Sequence, residues 1–506
     1  MAFGSFHSSV HLLSNIISAN HNNMKLTFWG AAKQVTGSMY LLELDDDYRI
    51  LIDCGFNLEK AKSNDEEDAP TNLYQGSVFP FDASLINVVI LTHAHIDHSG
   101  NIPNLVREGF EGQVVCTNAT YHLAQLLLAD SAMLHQKKWK KYDREQKKPA
   151  SLKSKKSYIS QPAEWYVQRH VNQAEEHFFS LQFNRRFQLA KGVHITLIPT
   201  GHLLGAANVL IEVEENGQSK RLLFSGDIGR NNYPLLPDPY PAPAADYLVC
   251  ETTYGNRKHV DTQEAEQILY EIIQEACVLT NGRLIIPAFS VGRTQALLFV
   301  LHKLSLQGKL PPIKVFSDSP LAYKSTLTYN KFIHLLDDEA QRFYQVHQSL
   351  FDFENLIYVE DLKTSRLISN YNEPCIIISS SGMIQGGRIE SHIKANIQNP
   401  YATILMIGYA AEGTIGHDLI HGKKAINIKG KDMPLMAKVK RTDIFSGHGD
   451  QDDLLRFVRY QNPETLKKVF LVHGELSAMQ DFKGLLETQG YQDKVEIPSK
   501  GQSFDL

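Results

Sequence analysis

Cysteine is scarce in this chain of 506 residues, and what there is does not pair. Cys54, Cys116, Cys250, Cys277 and Cys375 form no C-x-x-C, and their number is odd. That excludes a disulfide scaffold and a zinc-finger pattern, and it fits reduced thiols in a cytosol. No apolar run approaches the ~20 residues a membrane span needs, so no membrane partner is expected. An excess of positive charge is also missing: 51 Lys and Arg stand against 56 Asp and Glu, a net charge of −5. Many nucleic-acid binders are basic overall, so the global charge argues mildly against one, but it leaves room for a local basic patch. Internal repeats and coiled-coil heptads are absent. The first 23 residues hold no Lys or Arg, which a signal peptide would need. They read as a disordered N-terminal extension, with Met24 as the functional start. KSNDEEDAPTN at 62–72 reads as a flexible insertion.

What remains is ordinary globular composition, 43% hydrophobic and 21% charged. The length is too great for one core, so roughly two or three domains are expected. One short stretch stands out. THAHIDHSG, at 92–100, places His93, His95, Asp97 and His98 within six positions. It follows NVVILT, an apolar β-branched run that reads as a buried strand.

The same order recurs along the chain. YRILIDCG ends in Asp53, VHITLIPTGH in His202, KRLLFSGD in Asp227 and DYLVCET near Glu251. RTDIFSGH leads to His448, and KKVFLVHGE to His473. A lone histidine after a strand is more often structural. Seven such segments make coincidence a poor account, because layered α/β proteins gather ligands where strands end.

From about 256 to 442 strands and helices alternate: RLIIPAF, KVFSDSP, CIIISSSG and ATILMIGYA each precede a helical segment. This predicts a parallel, Rossmann-like sheet whose strands carry no candidate metal ligand at their ends. Site residues lie on both sides of it, so it reads as an insertion. The expected domains are 24–255, 256–442 and 443–506, the first and last forming one unit.

The spacing permits metal chemistry. His93 and His95 point the same way in extended chain, and Ala94 between them is small. Imidazole and carboxylate suit zinc. One ion can take His93, His95 and His202, and another Asp97, His98 and His473. Asp227 has two oxygens and can bridge them. Ions ~3.5–4 Å apart can share a hydroxide and stabilise both oxygens of a displacement, which favours an anionic phosphodiester.

H-A-H-I-D-H after a buried strand, with His202, Asp227 and Asp53, resembles the metallo-β-lactamase superfamily. ETTYG at 251–255, SGHGD at 446–450 and LVHGE at 471–475 resemble the three further motifs of its β-CASP branch. IPAFSVGRTQ, SSSGMIQGG and GYAAEGT resemble segments of the inserted β-CASP domain. That branch comprises RNA- and DNA-processing nucleases, among them the nuclease subunit of the cleavage-and-polyadenylation machinery, RNase J and bacterial RNA-specificity homologues. The resemblance runs from about residue 24 to the C-terminus. It implies an αββα sandwich with an inserted Rossmann-like domain and a zinc-dependent ribonuclease. By resemblance, two zinc ions are held by His93, His95 and His202, and by Asp97, His98 and His473, with Asp227 bridging. Asp53 is expected to orient a ligand or the attacking water. Asp97, a ligand, is counted with the catalytic residues. His448 would be the general acid and Glu251 its partner, since a carboxylate favours a protonated imidazole. Cleavage should leave a 5′-phosphate and a 3′-hydroxyl. The position of His473 is typically valine in the DNA-processing relatives, so this chain looks like the RNA branch. No KH domain of the archaeal type is recognisable.

Single-stranded RNA needs a basic surface, and residues 137–156 supply ten Lys or Arg against two acids. Lys137, Lys138, Lys140 and Lys141 interleave with Trp139 and Tyr142, the mixture that neutralises phosphates and stacks bases. A charge run is as readily a solvated helix face. Ser381 and Arg388, in the Ser/Gly turn 379–388, and Arg293, in SVGRTQ, are further candidates for phosphate contacts. His392, His417 and His421 fit no metal spacing and read as structural or surface groups. Two other readings stay open: a thioester or lactone hydrolase of the same superfamily, and a non-catalytic RNA-binding scaffold. The sequence is also compatible with a homodimer.

Overall fold

The computed structural model describes residues 24–44, 48–57, 77–147, 164–215, 218–259, 264–408, 410 and 412–506. The N-terminal extension 1–23, the acidic insertion 62–72 and the outer part of the basic stretch from 148 lie outside the described residues. Among the described residues no helix is long and apolar enough to cross a membrane.

Two sheets of seven strands face each other. The first runs, in spatial order, through Gln502–Asp505, Met24–Phe28, Tyr40–Leu44, Tyr48–Ile52, Val88–Ile90, Gln113–Thr117 and Phe178–Leu181. The second runs through Val495–Glu496, Lys468–Val472, Tyr247–Glu251, Gln218–Phe224, Ala207–Glu215, Val193–Pro199 and Phe187–Ala190. Alternation along these strands sends one set of side chains between the sheets. Leu26, Phe28, Ile50, Ile52 and Ile90 meet Ile195, Leu197, Ile211, Phe224 and Phe470 there. The opposite faces are covered by helices. Gln451–Arg459 and Leu476–Thr488 put Leu454, Phe457, Met479 and Phe482 on the second sheet. Ile102 and Leu105 of Ile102–Arg107, and Leu123 of Asn118–Gln146, cover the first. The result is an αββα sandwich.

A third sheet has six strands, all parallel, in the order Leu356–Tyr358, Lys314–Asp318, Cys375–Ser379, Arg283–Pro287, Ala402–Met406, Lys438–Arg441. Its four inner strands are buried on both faces. Leu284 and Ile286 pack on one side, with Ile376 and Ile378; Ile285 and Ile377 pack on the other. That double burial is why CIIIS and RLIIP read as unbroken apolar runs. The chain leaves the second sheet after Glu251, builds the third, and re-enters the second at Lys468. The C-terminal strand Gln502–Asp505 then pairs antiparallel with Met24–Phe28 and closes the first sheet.

Two expectations need correction. RTDIFSGH is not a strand ending in a ligand. The strand Lys438–Arg441 stops at its first residue and belongs to the third sheet, so His448 is carried by a loop. The third sheet also does have an acidic strand end: Asp318 closes Lys314–Asp318. It holds no site open, because Arg388 and His392 donate to it at 2.6 Å each and Ser365 Oγ also donates at 2.6 Å.

Phe224 lies in the middle of the sandwich, stacked on Tyr40 at 6.3 Å, three residues before Asp227. Phe224→Ala is expected to cost about 3–5 kcal/mol, read as a lower urea midpoint. An unchanged midpoint would contradict this packing.

Candidate metal centre and cleft

Strands that run in the same direction end on the same rim, and the rim is where the chemistry collects. Asp53 follows Tyr48–Ile52, and the His93–His98 turn follows Val88–Ile90. His202, Asp227, Glu251 and His473 stand at the ends of Val193–Pro199, Gln218–Phe224, Tyr247–Glu251 and Lys468–Val472. Turning a side chain inward at a strand end takes unusual backbone. Asp53 and His473 lie in the left-handed region, at φ +58° and +49°. Such strain persists only where the surroundings enforce it, typically at functional sites. Gly55 shows how close the packing is: a Cβ there would fall 1.7 Å from the Asp97 carbonyl oxygen.

Two donor sets result. In the first, His93 Nε2 lies 3.0 Å from His95 Nδ1, and His202 Nε2 lies 3.3 Å from the same atom. Asp227 Oδ2 is 3.4 Å from both His93 Nε2 and His202 Nε2. In the second, His98 Nε2 and His473 Nε2 are 3.2 Å apart, and His473 Nε2 is 3.5 Å from Asp97 Oδ2. Asp227 Oδ1 sits 3.3 Å from His98 and 3.7 Å from His473. Asp227 therefore offers one oxygen to each set. Its Oδ1 is buried and has no hydrogen-bond partner among the described residues.

The far nitrogens of these rings fix which atom faces the centre. His98 Nδ1–H donates to Asp53 Oδ2 at 2.7 Å, and His202 Nδ1–H donates to the Gly447 carbonyl at 3.0 Å. Thr253 Oγ1 donates to the His473 carbonyl and so accepts from His473 Nδ1–H at 3.0 Å. Thr92 Oγ1 donates to Asp53 Oδ2 and accepts from His93 Nδ1–H at 3.1 Å. Each arrangement turns Nε2 inward, where its lone pair is available once the ring is neutral, as metal-binding histidines require.

The electrostatics agree. Burial, aided by the neighbouring histidines, pushes His93 and His202 well below the imidazole range and takes His95 to about 4. All three are neutral at pH 7. Burial opposes ionisation of Asp97 and Asp227, but the facing histidines outweigh it. Asp97 falls to about 2 and Asp227 well below its usual value. Burial works against charge on His98 as well, yet Asp227 and Asp53 hold it well above its ordinary value, and Asp227 and Asp97 raise His473. Neutral imidazoles beside ionised carboxylates are the donor set of a divalent metal.

Glu251 is wholly buried. Its Oε1 accepts from the Ile228 amide at 2.7 Å and from His448 Nδ1–H at 3.2 Å, and its Oε2 accepts from the Thr253 amide at 3.2 Å. His448 also approaches Asp227 Oδ2 at 3.8 Å, but its Nδ1 is taken by Glu251. The ring borders a cleft of about 410 Å3 between the sandwich and the third sheet, which also exposes His95, Asp97, His202 and His473. A larger hollow of about 960 Å3, lined by Glu266, Lys303 and Asp337, holds none of these groups.

The cleft lining includes Arg293 and Ser381 of the inserted unit and Lys138 of the helix Asn118–Gln146. Lys137, Lys140 and Lys141 are exposed on the outer end of the helix Asn118–Gln146 and do not line it. Arg388 is not brought to the cleft. Its guanidinium donates to Asp318 Oδ1 at 2.6 Å, the Val359 carbonyl at 2.9 Å and the Glu360 carbonyl at 2.5 Å. Backbone amides of the turn 379–388 are also spent internally: Gly386 donates to Glu390 and Gln385 to Ser381 Oγ. Sequence reading missed Thr92, Thr253 and the Gly447 carbonyl, whose only signal is that Thr92 precedes His93, Gly447 precedes His448 and Thr253 follows Glu251 by two residues.

A metal-binding rim on an αββα sandwich, roofed by an inserted parallel α/β unit, defines a class of metal-dependent hydrolase. Three family profiles match the chain: "Metallo-beta-lactamase superfamily" at 32–255, "Beta-Casp domain" at 294–419 and "Zn-dependent metallo-hydrolase RNA specificity domain" at 432–498. Ribonuclease TTHA0252 of Thermus thermophilus is 30% identical over 469 residues, covering 93% of this chain and 97% of that protein. Transcription termination factor FttA of Methanosarcina mazei is 29% identical, over 90% of this chain and 68% of its own. The RNase J-like protein of Methanocaldococcus jannaschii is 27% identical, over 89% and 92%. The chain belongs to the β-CASP branch of the metallo-β-lactamase superfamily.

Protonated His98 and His473 must lose their protons before they can coordinate. Metal affinity is therefore expected to rise with pH above the ordinary imidazole range, with protons released on binding. Titrating the metal-free protein with a divalent metal salt in weak buffer checks this. His98→Gln should release fewer protons, and a pH-independent affinity would contradict the assignment.

Proposed function

We propose that this protein is a ribonuclease that uses two zinc ions to hydrolyse phosphodiester bonds of single-stranded RNA. The observation that carries the reading is His448, held by buried Glu251 on the cleft side of the two donor sets. A thioester or lactone hydrolase has no need of that pair or of the inserted unit. The naming of Ribonuclease TTHA0252 as a ribonuclease supports it.

The donor geometry supports zinc. Tetrahedral ligands 2.0–2.2 Å from zinc stand about 3.3–3.6 Å from one another. The spacings within the first set, 3.0–3.4 Å, and within the second, 3.2–3.7 Å, bracket that value. We assign His93, His95 and His202 to one ion, Asp97, His98 and His473 to the other, and Asp227 to both. Zinc bound there supplies Lewis-acid charge and an activated water. The chain's own residues do the rest. Asp53 holds His98 in the ligating tautomer. Glu251 orients His448 so that its Nε2 faces the cleft, where it protonates the leaving oxygen. The 5′-phosphate and 3′-hydroxyl ends follow from departure of the 3′ oxygen. Arg293 and Lys138 bring positive charge to the cleft wall. The exposed Lys137, Lys140 and Lys141 extend it outward along the helix. Five free, buried cysteines favour a reducing compartment, the cytoplasm.

Cleavage of a single-stranded RNA labelled at either end tests this. The zinc-loaded protein should give 5′-phosphate products, and His448→Ala should slow cleavage by about 10²–10⁴. No cleavage with both zincs verified would shift the reading to another ester or to an RNA-binding scaffold. Changing Lys137, Lys138, Lys140 and Lys141 to Gln together should weaken RNA binding at low salt. The slope of log affinity against log salt should become shallower by about 3, at ~0.7 per phosphate contact on single strands. An unchanged slope removes the helix from the binding surface.

A further inference from the structure

His448 sits where the chain has no regular structure. The strand Lys438–Arg441 ends before it, and the helix Gln451–Arg459 begins after it. A proton donor works only if its ring is held in place, and a loop does not hold itself. The middle of this loop is tied to the metal rim: the Gly447 carbonyl accepts from His202, and the Gly449 amide donates to the Ile228 carbonyl at 2.7 Å.

Its two ends converge on one residue, His259. His259 Nδ1–H donates to Asp443 Oδ2 at 2.9 Å, and the His259 backbone N–H donates to Asp450 Oδ2, also at 2.9 Å. Only 1% of the His259 side chain is exposed. Tyr254 fills the space between the two histidines. Its ring stands edge-on to His259 at 4.4 Å and edge-on to His448 at 6.1 Å. The chain path adds weight to the contact. His259 lies on the segment that leaves the sandwich for the third sheet, and Asp443 on the segment that returns. One imidazole thus joins both crossings to the loop that bears His448.

We propose that His259 is a positioning residue. Through Asp443 and Asp450 it fixes the loop 442–450, and so the place of the His448 ring against the leaving oxygen. This rests on the reading of His448 as general acid.

Leaving-group chemistry separates this role from simple support of the fold. An RNA linkage expels an alkoxide, which needs a proton, whereas bis(p-nitrophenyl) phosphate expels a phenolate that departs without one. The experiment compares both substrates on zinc-loaded wild-type protein and on His259→Ala, His259→Asn, His259→Phe and His448→Ala, with metal content measured for each. For His259→Ala, kcat on RNA should fall about 10–100-fold with KM unchanged, and the aryl diester should fall less than about threefold. Asn, whose amide can replace Nδ1–H, should restore RNA cleavage to within about threefold of wild type, and Phe, which fills the space without a donor, should not. Equal losses on both substrates, unaffected RNA cleavage in His259→Ala, or failure of Asn to rescue overturns the proposal. If wild type cuts RNA and His448→Ala abolishes it while His259→Ala does not slow it, only the role of His259 falls. If wild type hydrolyses the aryl diester but not RNA, or His448→Ala keeps full RNA cleavage, the general-acid reading falls and takes this proposal with it.

Discussion

Asp227 lies at the floor of the cleft, 2% exposed, with one carboxylate oxygen that has no hydrogen-bond partner among the described residues. Burying a charge without partners is among the most expensive things a fold can do. His98 and His473 lean toward it, but His93 and His202 are held neutral by the same burial. Protons alone leave this cage half balanced. Divalent metal bound beside Asp227 would balance it. Much of the sandwich can be understood as scaffolding for that one carboxylate: two sheets bring six strand ends to a single rim, and the rim surrounds Asp227.

The rim has its own support. Thr92 ties Asp53 to His93 through a single hydroxyl, and Asp53 in turn takes the proton of His98. One donor set is therefore linked to the other below the ligand layer as well as across Asp227. The left-handed backbone at Asp53 and His473 is strain that this bonding pays for. The same linkage explains why small residues crowd the turns, since a methyl at Gly55 would push into the loop that carries Asp97 and His98.

How legible this was in the sequence depends on the kind of residue. The ligands announced themselves because His and Asp at the end of an apolar run are unusual and because the pattern repeats. The parallel third sheet was legible for a similar reason, its strands being apolar on both faces. The supporting bonds were hidden. A threonine hydroxyl or a glycine carbonyl has no signature, and its value comes only from what folding places beside it. His259 was hidden too, since its partners Asp443 and Asp450 lie some 190 residues away in the chain. The opposite error came from Arg388 and the turn 379–388. Arginine and glycine next to a helix start look like an anion site, but Asp318 and Glu390 are the anions that fill it. Local composition cannot tell an open cradle from one already occupied by the chain's own carboxylates.

The two units divide the work. Among the described residues, the groups placed to hold a metal or move a proton in this centre come from the sandwich. The inserted unit turns the ends of its parallel strands toward the cleft and adds Ser290, Ser380 and Arg293 to the wall. Arg293 is the informative one. Its guanidinium lies over Phe289 at 4.7 Å, in room that exists because Gly408 has no side chain: a Cβ there would come within 2.4 Å of it. No carboxylate among the described residues pairs with it. A cation held by an aromatic face and by missing bulk, rather than by an anion of its own, keeps its charge for something that enters the cleft. The metal rim would act on any ester that reached it; under the proposed function, an unpaired arginine in the lining of the same cleft would favour an ester with a negative charge, and an insertion with no ligand of its own would thereby bear on what the centre hydrolyses.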